Sequence, residues 1–407
     1  MTPVIEAALI SLPSRADEAI FGRPLLERLV ILCRRAGIPR IIVEASSDER
    51  ERALAALGTF SHDPSVQIVQ SLKDFPTHPL NAPTPCIRLS GNLVLAQSQL
   101  NLAMAEYRAN PGVPLNIASV DCEHAGTIEI GPMETLVRDS AAAAPAEPLA
   151  ASGRTPGLAS LHNFTTLPFA LNGRPEDRAE AEVRLAREIR HESNSTDALM
   201  ARMIDRRLSW RLSLPLARRR IKPNQVTLLN TVLGFGCAGL LASTSYWLRL
   251  CGALLFLLSI TLDGVDGEVA RLRMVESRFG ERLDVITDNL VQVAVFGGLA
   301  IGCYRVSHSS AYFYILAVLL AGFGACAVSV NRAISIAGDA AHRWISKVER
   351  ATGRDFAYLL VILAVLNRLY YFIWGAAFGT HIFAASLWRL TSRDRKKRRL
   401  ASTASTI

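Results

Sequence analysis

Four aspartates set among glycines carry the chemistry open to this 407-residue chain: Asp263-Gly-Val-Asp266-Gly267-Glu-Val-Ala270-Arg271 and, after eight further residues, Gly280, Asp284 and Asp288. The surrounding sequence is apolar and membrane-like, where an uncompensated charge is costly and marks a functional site. On helices, Asp263 and Asp266 share a face at a spacing of three and Asp284 and Asp288 share another at a spacing of four. Two helices can therefore aim all four carboxylates at one point. Carboxylates without nearby His or Cys suit hard cations such as Mg2+, Mn2+ or Ca2+ rather than zinc. Gly267 lies one turn after Asp263 and Ala270 one turn after Asp266, which clears the adjoining wall of side chains. A divalent cation beside such a surface suits a nucleotide diphosphate, with Arg271 as a further donor.

The full spacing, Asp-x2-Asp-Gly-x2-Ala-Arg-x8-Gly-x3-Asp-x3-Asp, resembles the signature of the CDP-alcohol phosphotransferase (class I phosphatidyltransferase) family, with every named position filled. The resemblance implies a six-helix integral membrane enzyme that displaces CMP from a CDP-linked alcohol by attack of an acceptor hydroxyl on the β-phosphorus. It implies a two-metal site of Mg2+ or Mn2+, with Asp263, Asp266 and Asp284 as ligands and Asp288 as a ligand or as the general base. Gly267, Ala270, Arg271 and Gly280 would shape the nucleotide site, and a homodimer is the family expectation. The alternative is a non-catalytic membrane scaffold that holds a structural cation and recruits a partner through a soluble domain. Bare positions beside the carboxylates serve an enzyme rather than a scaffold.

Positioning those acids requires helices in a membrane. Apolar runs recur at Val226–Tyr246, Leu248–Leu262, Val285–Cys303, Tyr312–Val330, Phe356–Leu366 and Tyr371–Leu390. Six spans of roughly 20 residues would fit, with the acids at the ends of the second and third. Basic residues alternate in the same register. Arg271, Arg273, Arg278 and Arg282 occupy one connection, Arg332, Arg343, Lys347, Arg350 and Arg354 the next, and Arg393 to Arg399 the tail, against Arg249, Arg305 and Arg368 in the others. The positive-inside rule then puts both termini and the active site on the cytoplasmic side of the cytoplasmic membrane. The net charge of +9 reflects this topology and calls for no nucleic acid; the terminal basic run reads as an orientation signal or anionic-lipid anchor. Seven cysteines show neither disulfide nor zinc spacing and read as buried thiols.

Ahead of the first span, residues 204–215 mix basic and apolar positions at helical spacing, an amphipathic helix for the membrane surface. Next, Pro223 sets a helix entry, and Asn224 or Thr227 can cap its free amides. The segment also resembles the family's entry to its first span, which makes Pro223, Asn224 and Thr227 candidate nucleotide-site neighbours.

The first part of the chain is of another kind. Val4–Ile10, Arg40–Glu44, Val66–Gln70 and Ile87–Leu89 read as strands and Pro24–Ala36 as a helix, an α/β domain with a mostly parallel sheet. Phe21-Gly-Arg-Pro-Leu-Leu-Glu-Arg-Leu-Val and Ala36-Gly-Ile-Pro-Arg-Ile-Ile-Val43 resemble the sugar-nucleotide nucleotidyltransferase fold. Active members of that fold follow the first strand with a glycine-rich phosphate loop; here it is Ser11-Leu-Pro-Ser-Arg15. Where they carry a metal-binding Asp, this chain has Ser90-Gly91-Asn92, so the domain reads as catalytically inactive. Arg15 and Arg23 are candidates for residual nucleotide affinity. An Ala- and Pro-rich stretch, Ala141–Pro156, reads as a linker and Arg174–His191 as a solvated connector helix. The beginning, Met1-Thr-Pro, lacks a secretory signal, which keeps this domain in the cytosol.

The expected organisation is thus multi-domain: an N-terminal α/β nucleotidyltransferase-like domain, 1–145; linker and connector, 146–199; interfacial helix, 200–222; a C-terminal all-α six-helix transmembrane bundle, 223–392; and a basic tail, 393–407. Such a fusion resembles the di-myo-inositol-phosphate-phosphate synthase branch, whose members join CDP-inositol to a phosphorylated inositol. The donor is then CDP-inositol or, with an inactive first domain, CDP-diacylglycerol, which would make the product a phospholipid. A phosphorylated acceptor such as inositol phosphate needs basic groups near the metals, for which Arg332 and Arg354, with Asp355 as partner, are the candidates.

Overall fold

The computed structural model describes residues 5–12, 18–71, 84–110, 114–118, 127–139, 169–171, 174, 176–194, 206–219, 221–337 and 355–404. The chain divides into two compact units: Met1–Glu192 with Leu272–Met274, and Ser193–Arg271 with Val275–Ile407.

The first unit is built on β1 (Ala7–Ser11), whose Ala7, Ala8, Leu9 and Ile10 are all fully buried. An unbroken apolar run of this kind suits a strand covered on both faces. β1 pairs in parallel with β4 (Arg40–Glu44) and β6 (Pro85–Ser90), and β4 with β5 (Val66–Val69). The six-stranded order is β5-β4-β1-β6-β9-β8, where β9 (Thr127–Pro132) and β8 (Leu115–Ala118) are antiparallel. The sheet is mostly parallel, as the alternation predicts; its antiparallel edge escaped the sequence reading. A two-stranded turn, β2 (Ala19–Ile20) with β3 (Arg23–Pro24), passes through Phe21 and Gly22 at positive φ. α1 (Leu25–Arg35), α2 (Arg50–Leu57), α3 (Gln97–Ala109) and α4 (Met133–Asp139) complete the α/β elements.

The expected solvated connector behaves differently. β10 (Phe169–Ala170) pairs with β7 (Leu93–Val94), and α5 (Asp177–Asn194) buries Ala181, Leu185, Ala186 and Ile189. The backbone N–H of Phe21 donates to Glu182 at 3.3 Å. This apolar stripe on a highly charged helix makes it part of the α/β unit. The linker 141–156 and Arg15 lie outside the described residues.

Burial pushes the thiols of Cys33 and Cys86 up to about 12, which leaves them inert. Cys237 and Cys303 are also buried, Cys326 is half-buried and Cys251, in an apolar helix, is exposed; Cys122 lies outside the described residues.

The second unit comprises α6 (Arg206–Arg218), α7 (Pro223–Leu241), α8 (Tyr246–Arg273), α9 (Arg278–Ser307), α10 (Ala311–Ala337), α11 (Asp355–Val365) and α12 (Leu369–Ala404). Among the described residues, three segments are long and apolar enough to cross a membrane: Tyr246–Arg273, Arg278–Ser307 and Ala311–Ala333. The fifth apolar run of the sequence, Phe356–Leu366, is helical through Val365. Its described part is α11, Asp355–Val365, and the residues before it lie outside the described ones.

α7 and α9 pack backbone to backbone. A Cβ at Gly298 would lie 2.2 Å from the Ala238 carbonyl oxygen and one at Gly302 2.1 Å from that of Leu241. Small residues allow such an approach between membrane helices. Cys237, Leu241, Val295, Phe296 and Leu299 fill the core there. At the end remote from the aspartates, Arg249 donates to Asn367 Oδ1 at 2.8 Å, Arg305 to the Ala242 carbonyl at 3.1 Å and Tyr246 to the Val365 carbonyl at 3.1 Å. These bonds tie the α7–α8, α9–α10 and α11–α12 connections together.

Candidate metal and nucleotide site

The pattern that suggested helix ends is helical throughout: α8 continues through Asp263 and Asp266 to Arg273, and α9 carries Asp284 and Asp288 in its first turns. Ser277 caps α9, its hydroxyl accepting the Gly280 N–H at 3.0 Å. The two helices bring Asp263, Asp284 and Asp288 together, with one carboxylate oxygen from each lying within 4.8 Å of the others. At that separation each pair repels by about 3 kcal/mol at an effective dielectric constant of about 20. A cation bound at about 2.1–2.6 Å from each oxygen spans such a triangle, so this all-oxygen set fits Mg2+, Mn2+ or Ca2+.

Asp266 flanks that triangle, next to Asp284. It is 6% exposed, accepts the Thr227 hydroxyl from α7, and takes the Gly267 N–H at 2.6 Å. Thr227 therefore holds a motif carboxylate instead of capping α7. The cap comes from Gln225, whose Oε1 accepts the Lys222 N–H at 3.1 Å, and Pro223 occupies the first turn as expected. Below this pair, Ser259 donates to Asn230 Oδ1 at 2.7 Å, a second buried polar link between α7 and α8. Thr227→Val should free Asp266 and weaken Mn2+ binding about tenfold, the usual scale for a group that orients a ligand, read by paramagnetic resonance titration.

Nucleotide-site candidates gather around the same point. A Cβ at Gly280 would lie 3.2 Å from Asn224 Oδ1 and 3.2 Å from Ser277 Oγ, so glycine lets the start of α7 approach the start of α9. A Cβ at Gly267 would meet only the Arg271 guanidinium, at 3.9 Å, which leaves the wall beside the triangle bare. Ala270, half-buried, follows on α8. Among the acceptor candidates, Arg332 on α10 stacks over the Trp388 ring of α12 at 3.5 Å. Arg354 lies outside the described residues, and Asp355 is the first residue of α11.

Sequence reasoning passed over Glu268. It is 5% exposed and accepts the hydroxyl of fully buried Ser213, on α6, at 2.6 Å. Its flanking position between Val265 and Val269, both fully buried, is the signal that could have marked it.

Comparison with known proteins places this geometry. Residues 220–386 match the CDP-alcohol phosphatidyltransferase family model. The chain is similar to two proteins named bifunctional IPC transferase and DIPP synthase. That of Aquifex aeolicus is 36% identical over 26% of this chain and 23% of its own length. That of Thermococcus kodakarensis is 29% identical over 42% of this chain and 38% of its own. A phosphatidylinositol phosphate synthase of Corynebacterium glutamicum is 36% identical over 21% of this chain and 40% of its own. The chain thus spans well under half the length of each of these relatives. All four motif aspartates fall inside residues 220–386, the segment that matches the CDP-alcohol phosphatidyltransferase family model.

Proposed function

We propose that this protein is an integral membrane transferase that moves a substituted phosphate from a CDP-linked alcohol to a polar alcohol and releases CMP. The observation that carries this reading is the triangle of Asp263, Asp284 and Asp288 oxygens within 4.8 Å, beside a bare helix wall, in the segment that matches the CDP-alcohol phosphatidyltransferase family model. Asp263, Asp284 and Asp288, with Asp266 alongside, would hold Mg2+ or Mn2+. When bound, the metal offsets the charge of the diphosphate and of departing CMP.

The chain's own groups supply the remaining steps. Arg271, exposed beside Gly267, pairs with a phosphate, and Asn224, Gly267, Ala270 and Gly280 let the cytidine lie against backbone. Asp288 orients the acceptor hydroxyl and takes its proton as the new oxygen–phosphorus bond forms. The bond from the β-phosphorus to the bridging oxygen breaks, and CMP leaves with the electron pair.

The names of the relatives favour an acceptor of inositol phosphate type and a role in phospholipid or inositol-phosphate biosynthesis. Arg332 and Arg354 are the proposed phosphate contacts. We place the aspartates on the cytoplasmic side, from the distribution of Lys and Arg, and expect a homodimer. The α/β unit is proposed to be inert as a nucleotidyltransferase. Asn92 has no carboxylate to offer, and its amide donates to the Leu171 carbonyl at 3.3 Å.

Product analysis tests the substrate reading. Purified protein in nanodiscs with Mn2+ and inositol phosphate should convert either CDP-diacylglycerol to a lipid product or CDP-inositol to a soluble phosphodiester, each separable by mass spectrometry. CMP release with a different polar alcohol, and with neither of these pairs, would remove inositol from the account.

A further inference from the structure

α8 presents two faces to two different neighbours. Asp263, Asp266 and Gly267 address the site, whereas Val265, Glu268 and Val269, at spacings of three and four, lie on the opposite side and are all buried. Val265 and Val269 pack with Val226, and Leu212 and Leu216 of α6 close over them. In the middle of this apolar contact sits the bond from Ser213 Oγ to Glu268 Oε2, at 2.6 Å. Ser213 is 0% and Glu268 5% exposed.

Apolar side chains alone permit a helix to slide or rotate on its neighbour, because many alternative packings bury similar area. A buried polar pair restricts that freedom, since any shift breaks its hydrogen bond away from water. Glu268 follows Asp266 by two residues and Asp263 by five, so rotation of α8 about its axis moves all three together. Thr227 locks Asp266 from one side of α8, and Ser213 locks Glu268 from the other.

We propose that Glu268 is a positioning residue: its buried bond to Ser213 clamps α8 against α6 and fixes the rotation at which Asp263 and Asp266 face the metal. The basic helix α6 is then a structural partner of the catalytic helix as well as a surface element. This rests on the metal-dependent reading above.

The test uses the full-length protein in nanodiscs, with Mn2+ affinity followed by paramagnetic resonance and CMP release measured alongside. Ser213→Ala and Glu268→Leu should each weaken Mn2+ binding about tenfold, the scale expected when support for metal ligands is removed. Glu268→Gln keeps an acceptor oxygen for Ser213 and should stay within about twofold of the wild type. Thermal unfolding separates this from simple destabilisation. If the variants lower Tm but bind Mn2+ as the wild type does, the bond is structural only and the proposal falls. Should Glu268→Gln fail as badly as Glu268→Leu, the hydrogen bond is not what positions the site, and the proposal falls as well. A wild-type protein that binds no Mn2+ would overturn the functional reading itself, together with this inference.

Discussion

Asp288→Asn should lower CMP release by about two to four orders of magnitude while the protein stays folded. The amide keeps the size of the side chain but cannot take the acceptor proton, and it brings no negative charge to the triangle with Asp263 and Asp284. Two measurements separate the two roles open to Asp288. If Mn2+ affinity survives while the rate collapses, Asp288 acts as the base; if both collapse, it is a ligand. Asp284→Asn, by contrast, should lose Mn2+ binding and turnover together. Either variant turning over at the wild-type rate would remove that residue from the chemistry.

The second large effect arises away from the carboxylates. Gly298→Ala places a methyl group where the Ala238 carbonyl oxygen already sits, 2.2 Å from the new carbon, and backbone cannot swing aside as a side-chain tip can. α7 must move off α9, at a cost of about 1–3 kcal/mol for overpacking. Because α7 brings Thr227 to Asp266 and Asn224 to Gly280, the same displacement should impair turnover. The adjacent residue supplies the control. A Cβ at Gly297 meets nothing within 4 Å, so Gly297→Ala should leave Tm and rate near the wild type. Equal behaviour of the two alanine variants, in Tm and in CMP release, would show that α7 and α9 do not approach as described.

The carboxylate cluster was legible in the sequence because it depends on residues close together in the chain. Helical spacing alone predicts that Asp263 on one helix and Asp284 and Asp288 on the next can converge, and three of the four aspartates do so in the structure. The bond to Asp266 comes from Thr227, 39 residues earlier, and no local pattern announces which hydroxyl will reach which acid. Capping by Gln225 rather than Asn224 was equally hidden, since all three polar residues at the start of α7 can cap and only packing chooses among them.

The α/β sheet was visible in its apolar strands, Ala7–Ser11 and Arg40–Glu44, whereas β8 and β9 carry weaker, more polar patterns. α5 misled through composition: its charged residues outnumber the four small and aliphatic ones that dock it. Average polarity hides a narrow stripe, and helical periodicity is the better guide.

The central claim is metal-dependent release of CMP from a CDP-linked alcohol, and the direct measurement is CMP formed by the purified full-length protein in lipid with CDP-diacylglycerol or CDP-inositol and a polar alcohol acceptor. The account predicts release that stops with EDTA, returns with Mg2+ or Mn2+, and requires the acceptor. Release that is indifferent to EDTA, or no release from either donor with any acceptor while Mn2+ still binds at the aspartates, would contradict it and leave a cation-holding scaffold in its place.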